Sequence, residues 1–207
     1  MTLRLAAAAA LALGVLTLIL YLHFVGKGPW TDAKARHMRA MKDRTHAPDS
    51  TEFYSFDRFA NLPRRAPFVE YGALETRGVT IEGYVERFRR APDNDVHFDV
   101  ANDNCGPDGP MLPYLTAEVS PQWRRGSANW QYERFVEVLR PTRGAATPWD
   151  QGPRRARFSG WLMYDYPHEH RLPRPDRPVA QAAWEVHPVT RIELWDDSLH
   201  RFVEYPR

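Results

Sequence analysis

The chain has 207 residues, with 28 Lys and Arg against 26 Asp and Glu. The formal net charge is only +2, which excludes a global field for polyanions, so any basic patch must be local. One cysteine, Cys105, excludes an intramolecular disulfide and a cysteine-rich zinc site, and its turn-rich setting reads as an ordinary loop thiol.

Residues 5–25 are almost continuously apolar, interrupted by Gly14, Thr17 and His23 and by no formally charged side chain. A helix needs about 20 such residues to cross a bilayer. The run ends 22–27 as Leu-His-Phe-Val-Gly-Lys, which offers no small-x-small cleavage site. Residues 1–28 are therefore predicted to be an uncleaved transmembrane signal-anchor, with the lipid bilayer as partner through 5–25. Two cues about orientation conflict. The short N-terminal tail and the likeness to a bacterial export signal place the domain outside, on the periplasmic side of the inner membrane. Lys27, Lys34, Arg36, Arg39, Lys42 and Arg44 after the span argue the other way.

Residues 29–77 are predicted to form a basic juxtamembrane helix and an aromatic-rich lead-in. The helix is expected over 31–44, with Thr31 or Asp32 as cap and a stripe of Ala35, Met38 and Met41. Its cations suit either anionic headgroups or a solvated stalk. Phe53, Tyr54, Phe56, Phe59 and Leu62 are expected to pack on the main domain, since an exposed cluster of this size is uncommon.

From Gly78 the pattern is that of short strands, in keeping with 18 prolines in the chain. Residues 79–86 alternate, with Val79, Ile81, Gly83 and Val85 on one face, and Gly83 suggests a bend or bulge. A loop is expected over 88–95. A second strand follows over 96–100, with His97 and Asp99 facing away from Val96, Phe98 and Val100. A third strand is expected over 114–120. A helix is expected over 127–139, with Trp130, Phe135, Val138 and Leu139 buried. A fourth strand covers 157–164, then a charged, proline-rich loop covers 165–181. The last strand covers 182–195, broken near Pro188, and residues 196–207 are left as a C-terminal tail.

Three strands, a helix and two strands is the element order of the five-stranded OB-like Greek-key barrel, so the fold class is expected to be mainly β. The phrases at 160–165 (Gly-Trp-Leu-Met-Tyr-Asp) and 184–193 (Trp-Glu-Val-His-Pro-Val-Thr-Arg-Ile-Glu) resemble an uncharacterised group of bacterial secreted or membrane-anchored OB-fold-like proteins. The resemblance covers about 78–195. It implies a fold and no activity.

OB barrels bind ligands on the face of strands two and three and on the loops joining strands one to two and four to five. Here the first loop holds Arg87, Phe88, Arg89 and Arg90, and the second holds His168, His170, Arg171, Arg174 and Arg177. With outward Tyr84, His97, Asp99 and Trp161, they suggest a basic groove for an anionic or sugar-like ligand. The candidate binding residues are Tyr84, Arg89, Arg90, His97, Trp161, Arg171 and Arg174. Solvated loop charges are the plain alternative.

A second constellation, Asp165, His168, Glu185 and His187, with His170 nearby, combines imidazole and carboxylate as divalent metals prefer. Its spacing matches no established metal motif, and histidines that brace loops are the alternative. Asp93, Asp95, Asp99 and Asp103 read as turn and edge chemistry rather than as a nuclease site. No phosphate loop, dinucleotide fingerprint or nucleophile elbow occurs, so no catalytic residue is assigned. The expected function is a membrane-anchored binding module of the cell envelope with a protein or anionic partner. The alternatives are a metal-dependent hydrolase and a single-stranded nucleic-acid binder, the latter disfavoured by a periplasmic location.

Overall fold

The computed structural model describes residues 14, 33–65, 67–103, 112–139, 154–169 and 180–207. The expected anchor, Cys105, His170, Arg171, Arg174 and Arg177 lie outside them. Among the described residues no helix is long and apolar enough to cross a membrane. The chain divides into two compact units, Met1–Arg39 and Ala40–Arg207. Helix α1 (Ala33–Lys42) covers much of the helix expected over 31–44.

The second unit is mainly β. The strands are β1 (Glu52–Phe53), β2 (Gly78–Arg90), β3 (Val96–Ala101), β4 (Tyr114–Val119), β5 (Arg155–Tyr164), β6 (Ala180–Asp196) and β7 (Arg201–Glu204). Strands β2, β3, β4, β6 and β5 neighbour one another in that order, and β5 pairs back onto β2 to close a five-stranded barrel. The ladders are antiparallel except β4 with β6, which run parallel. Two extra strands attach outside this ring: β1 runs parallel to β2, and β7 antiparallel to β6.

Closure depends on β2 serving two partners. Its first half pairs with β5 (Val79 with Gly160) and its second half with β3 (Phe88 with Phe98). Tyr84, between them, pairs with both Ala101 and Arg155. At the changeover Gly83 lies so close to β3 that a Cβ would stand 2.3 Å from the Ala101 carbonyl oxygen. Gly83 is thus a close backbone approach; the bulge lies at Glu86, where the register shifts between Val85 and Arg87.

That bulge corrects the loop expected over 88–95. An extra residue reverses which side chains face in. Val85 and Phe88 are both buried, β2 continues to Arg90, and the connection shortens to 91–95. The residues of that turn explain its shape. The Asn94 N–H donates to the Ala91 carbonyl, Pro92 presets the second turn position, and Asn94 takes φ 69°.

The expected break at Pro188 is also corrected, since β6 runs unbroken from Ala180 to Asp196. Gly160 pairs with Val189 and Leu162 with Val186, so His187 and Pro188 together oppose one residue, Trp161. The bulge takes Pro188, which has no N–H, out of the ladder while the strand continues. The tail expected over 196–207 instead supplies β7 and the buried Tyr205.

The barrel interior holds Val79, Ile81, Phe98, Val100, Leu115, Phe158, Val186 and Ile192. Helix α5 (Tyr132–Leu139), which follows the short α4 (Pro121–Arg124), buries Phe135 and Leu139 against it. The helix expected over 127–139 thus starts late, although Trp130 is buried as anticipated. Of the lead-in, α2 (Phe56–Ala60) and α3 (Phe68–Leu74) flank the barrel, and Tyr54, Phe59 and Tyr71 join its core cluster. Phe53 stays exposed.

Candidate functional site

Alternation in β3, β4 and β6 places one set of side chains inside and the other on the outer face. Register brings the outward set together, because His97 pairs with Glu118, Asp99 with Thr116, and Thr116 with Glu185. His97, Asp99, Glu118, Glu185 and His187 therefore form one outer-face patch. They are not solvated: each is at most 7 % exposed. Lys42 at the end of α1 and the 91–95 turn reach the patch.

A continuous polar chain runs across it. Arg87 Nε donates to Asp99 Oδ2 at 2.6 Å, and Asp99 Oδ1 lies 2.8 Å from His97 Nε2. The other His97 ring nitrogen meets Glu118 Oε1. Glu118 Oε2 is 3.5 Å from His187 Nε2, which lies 3.0 Å from Asp95 Oδ2. Lys42 Nζ closes the chain, 2.8 Å from Asp93 Oδ2, 3.3 Å from Asp95 Oδ2 and 3.7 Å from Glu118 Oε2.

The protonation pattern follows from burial and sign. Burial alone lowers the pKa of His97, but bonds to Asp99 and Glu118 outweigh it and hold the ring charged. His187, fully buried, is pushed down to about 3 and stays neutral. Burial would raise Glu118, but the His97 bond and the His97 and Lys42 charges keep it ionised. Burial, then the Glu118 charge, pushes Asp95 up to about 8 against the pull of Lys42. The same two causes push Glu185 well above the usual carboxylate range. Lys42 loses by burial and gains more from Glu118, Glu185 and Asp95, so it remains charged.

Beside this patch lies the β5–β6 connection. The Asp165 N–H donates to the Ala183 carbonyl at 2.8 Å, which carries the ladder one step past Tyr164. A 3-10 turn at Tyr166–His168 then brings His168 Nδ1 onto Asp165 Oδ2. Donor atoms of Asp165, His168 and Glu185 all lie within 4.8 Å of one another, and so do those of Asp95, Glu118 and His187. Three of the four residues singled out for metal thus gather, while His187 belongs to the neighbouring, inner triad. Glu185 connects the two triads electrostatically, since Glu118 and Asp95 both act on it.

No protein-family model and no curated sequence matches this chain.

The residues expected to form a basic groove are distributed differently. Arg87 is paired with Asp99, and Arg89 lies 3.5 Å from the same carboxylate. Arg90 bonds Glu133 at 2.7 Å and stands over the Tyr132 ring. Tyr84 pairs with Ala101, at the far end of β3 from His97. Trp161 donates to the His46 carbonyl at 2.8 Å and lies under the Arg44 guanidinium. Among the described residues, Lys42 is the cation between Asp93, Asp95, Glu118 and Glu185, and because Asp95 and Glu185 are held protonated while His97 and Arg87 are charged, the face is rich in carboxyl groups but close to charge balance. Sequence reasoning missed Lys42, Asp95 and Glu118 as members. Glu118 had a usable signal, its place on the outward face of the strand following His97. Lys42 and Asp95 had none, because a helix end and a turn bring them in.

Proposed function

We propose that this chain is a membrane-anchored binding module whose soluble unit is an OB-type Greek-key barrel and whose binding face is the outer surface of β3, β4 and β6. One observation carries the reading. The second and third barrel strands and both flanking connections, through Asp93 and Asp95 on one side and Asp165 and His168 on the other, converge on a single polar cluster. That is where OB barrels engage ligands. The parallel β4–β6 pairing and the helix between β4 and β5 support the OB assignment.

The pairing of Arg87 and Arg89 with Asp99 and of Arg90 with Glu133 disfavours the anionic ligand expected from the loop arginines, and the gathered carboxyl groups suit a cation or a basic protein segment. The same pairing argues against single-stranded nucleic acid, whose phosphates would meet Asp93 and Glu118 rather than free guanidinium groups. The apolar run over 5–25 supports the anchor, and its export-like start supports a periplasmic domain.

The test uses the full chain in cell envelopes, with a photo-crosslinking residue at Asp93 or Glu169 on the rim and, as control, at Leu199 on the β6–β7 turn. A discrete adduct at the rim and none at Leu199 is expected. Equal labelling at all three positions, or none at the rim, defeats the reading.

A further inference from the structure

We propose that Asp165, His168 and Glu185 bind one divalent first-row metal ion, of zinc or manganese type, where β6 meets the β5–β6 connection. The inference rests on the reading of this surface as the binding face and names a ligand for it.

The donor set is one imidazole and two carboxylates, with their donor atoms within 4.8 Å of one another. First-row divalent ions take imidazole and carboxylate at about 2.0–2.2 Å, which separates neighbouring ligand atoms by about 3 Å, so the gathering needed is a small one. Three protein ligands leave coordination positions open to water or substrate. The His168 side chain is 38 % exposed and provides the entry from solvent.

The second observation is independent of this clustering. Glu185 is 7 % exposed, and its Oε2 is wholly buried with no hydrogen-bond partner among the described residues. A buried carboxylate oxygen without a partner costs free energy comparable to a lost hydrogen bond or more. Such an atom calls for a partner, and a bound ion is one that fits a carboxylate. Glu185 supplies that carboxylate to the Asp165–His168 pair.

The inner triad is the natural rival, and Lys42 weighs against it by direct contact, while its charge also acts, from farther away, on Glu185. The Lys42 ammonium lies 3.3 Å from Asp95 and 3.7 Å from Glu118, and so already supplies positive charge to those carboxylates. His187 Nε2 is engaged by Asp95 at 3.0 Å. A divalent ion placed there would meet a fixed cation within a few ångströms.

Full-length protein in detergent micelles, stripped with a chelator, is titrated with Zn²⁺ and separately with Mn²⁺ by calorimetry, with metal content checked by mass spectrometry after dialysis. About one ion per chain is expected. Glu185→Gln and His168→Ala are each expected to weaken binding by about tenfold or more, at least what removing a group that merely supports a ligand costs. His168 is part-exposed, so His168→Ala reports even if Glu185→Gln fails to fold. No stoichiometric binding of either ion overturns the proposal. So does binding that survives His168→Ala but is lost in Asp95→Asn, which would seat the ion in the inner triad. Rim crosslinking repeated with chelator separates the two readings: adducts that persist without bound metal leave the binding module standing and remove only the metal.

Discussion

Replacing Lys42 by Met tests whether the outer-face cluster is held by its central cation. Met keeps an unbranched apolar stem of similar length, so packing is largely retained and the change isolates the charge. In the structure Nζ serves Asp93, Asp95 and Glu118 at 2.8, 3.3 and 3.7 Å, and its side chain is only 18 % exposed. At an effective dielectric of about 20, a unit charge pair at these separations is worth about 4.5–6 kcal/mol before desolvation. Asp95, pushed up to about 8, is largely protonated at pH 7 and contributes little of that. Asp93 is part-exposed and screened. The ionised, buried Glu118 remains, offset by the relief of no longer burying an ammonium. The net loss is about 3 kcal/mol, at the low end for removing one partner of a buried ion pair. For a unit of this size each kcal/mol lowers Tm by about 2–4 °C, so a drop of about 6–12 °C is expected. Thermal unfolding followed by circular dichroism at pH 7 measures it, with Lys42→Arg as the charge-retaining control. A Lys42→Met protein within about 2 °C of wild type, or more stable than it, would refute the claim that Lys42 balances the cluster.

Stability should fall as pH rises from about 6.5 to about 8.5, because His97 and Asp95 act there with the same sign, whereas below 6.5 the buried His187, pushed down to about 3, opposes them. His97 is raised above its ordinary 6.5, so its contribution is complete below that value and is lost as pH climbs through the folded one. Asp95 ordinarily ionises near 3.8 but stays protonated in the fold to about 8, so ionisation of the unfolded chain erodes stability across that interval. Denaturant midpoints at the two ends measure the slope; His97→Gln should flatten it, and a rising profile contradicts the assignment. Phe98→Ala, at a fully buried position against Phe135 at 5.2 Å and Phe158 at 5.0 Å, should cost about 3–5 kcal/mol in equilibrium unfolding, and a loss below about 1 kcal/mol would place Phe98 outside the core. Gly83→Ala sets a Cβ 2.3 Å from the Ala101 carbonyl oxygen, a backbone atom that cannot swing aside, so it should destabilise by more than about 1 kcal/mol, whereas an unstrained Gly→Ala change would stabilise slightly. Wild-type stability would show that β2 and β3 separate there at little cost.

Much of the barrel was legible because period-two alternation survives translation into structure. Val96, Phe98 and Val100 face in, and His97 and Asp99 face out, as their spacing implies. Alternation fails as a guide wherever a bulge inserts a residue. At Glu86 the phase reverses, so Phe88 looks like a loop residue in sequence and is a core residue in space. The short β7 carries little pattern of its own; it exists because β6 offers it an edge. The candidate site was partly legible for the same reason. Glu185 and His187 share a face by spacing, and Asp165 lies one ladder step beyond the end of β5. Which triad each joins depends on register between β4 and β6 and on where Lys42 and Asp95 arrive, and local sequence carries neither. For the arginines, composition shows charge without its partner. Asp99, nine residues after Arg90, absorbs Arg87 and Arg89 across the β2–β3 ladder.

The bend of β6 connects the fold to the site. Before Pro188 the strand lies between β4 and β5, and its outward residues Glu185 and His187 enter the two triads. After Pro188 it leaves β4, and Leu194 and Trp195 pair with Val203 and Phe202 of β7. One strand of regular pleat could not lie against both neighbours, since their directions diverge around a closed barrel. Register shifts on both sides of Gly160 supply the bend, and Gly160 permits it, because a Cβ there would stand 2.2 Å from the Pro188 carbonyl oxygen. The shifts leave Val186, Val189 and Ile192 all facing in, so the core is continuous across the bend. What they change is the exterior: His187 is turned beneath the 91–95 connection and buried completely, where Asp95 and Glu118 meet it. The bend that carries β6 from β4 to β7 is therefore also the one that withdraws a histidine from solvent and places it among carboxylates. The polar cluster is a consequence of barrel geometry acting on the outward residues of β6, not an addition to it.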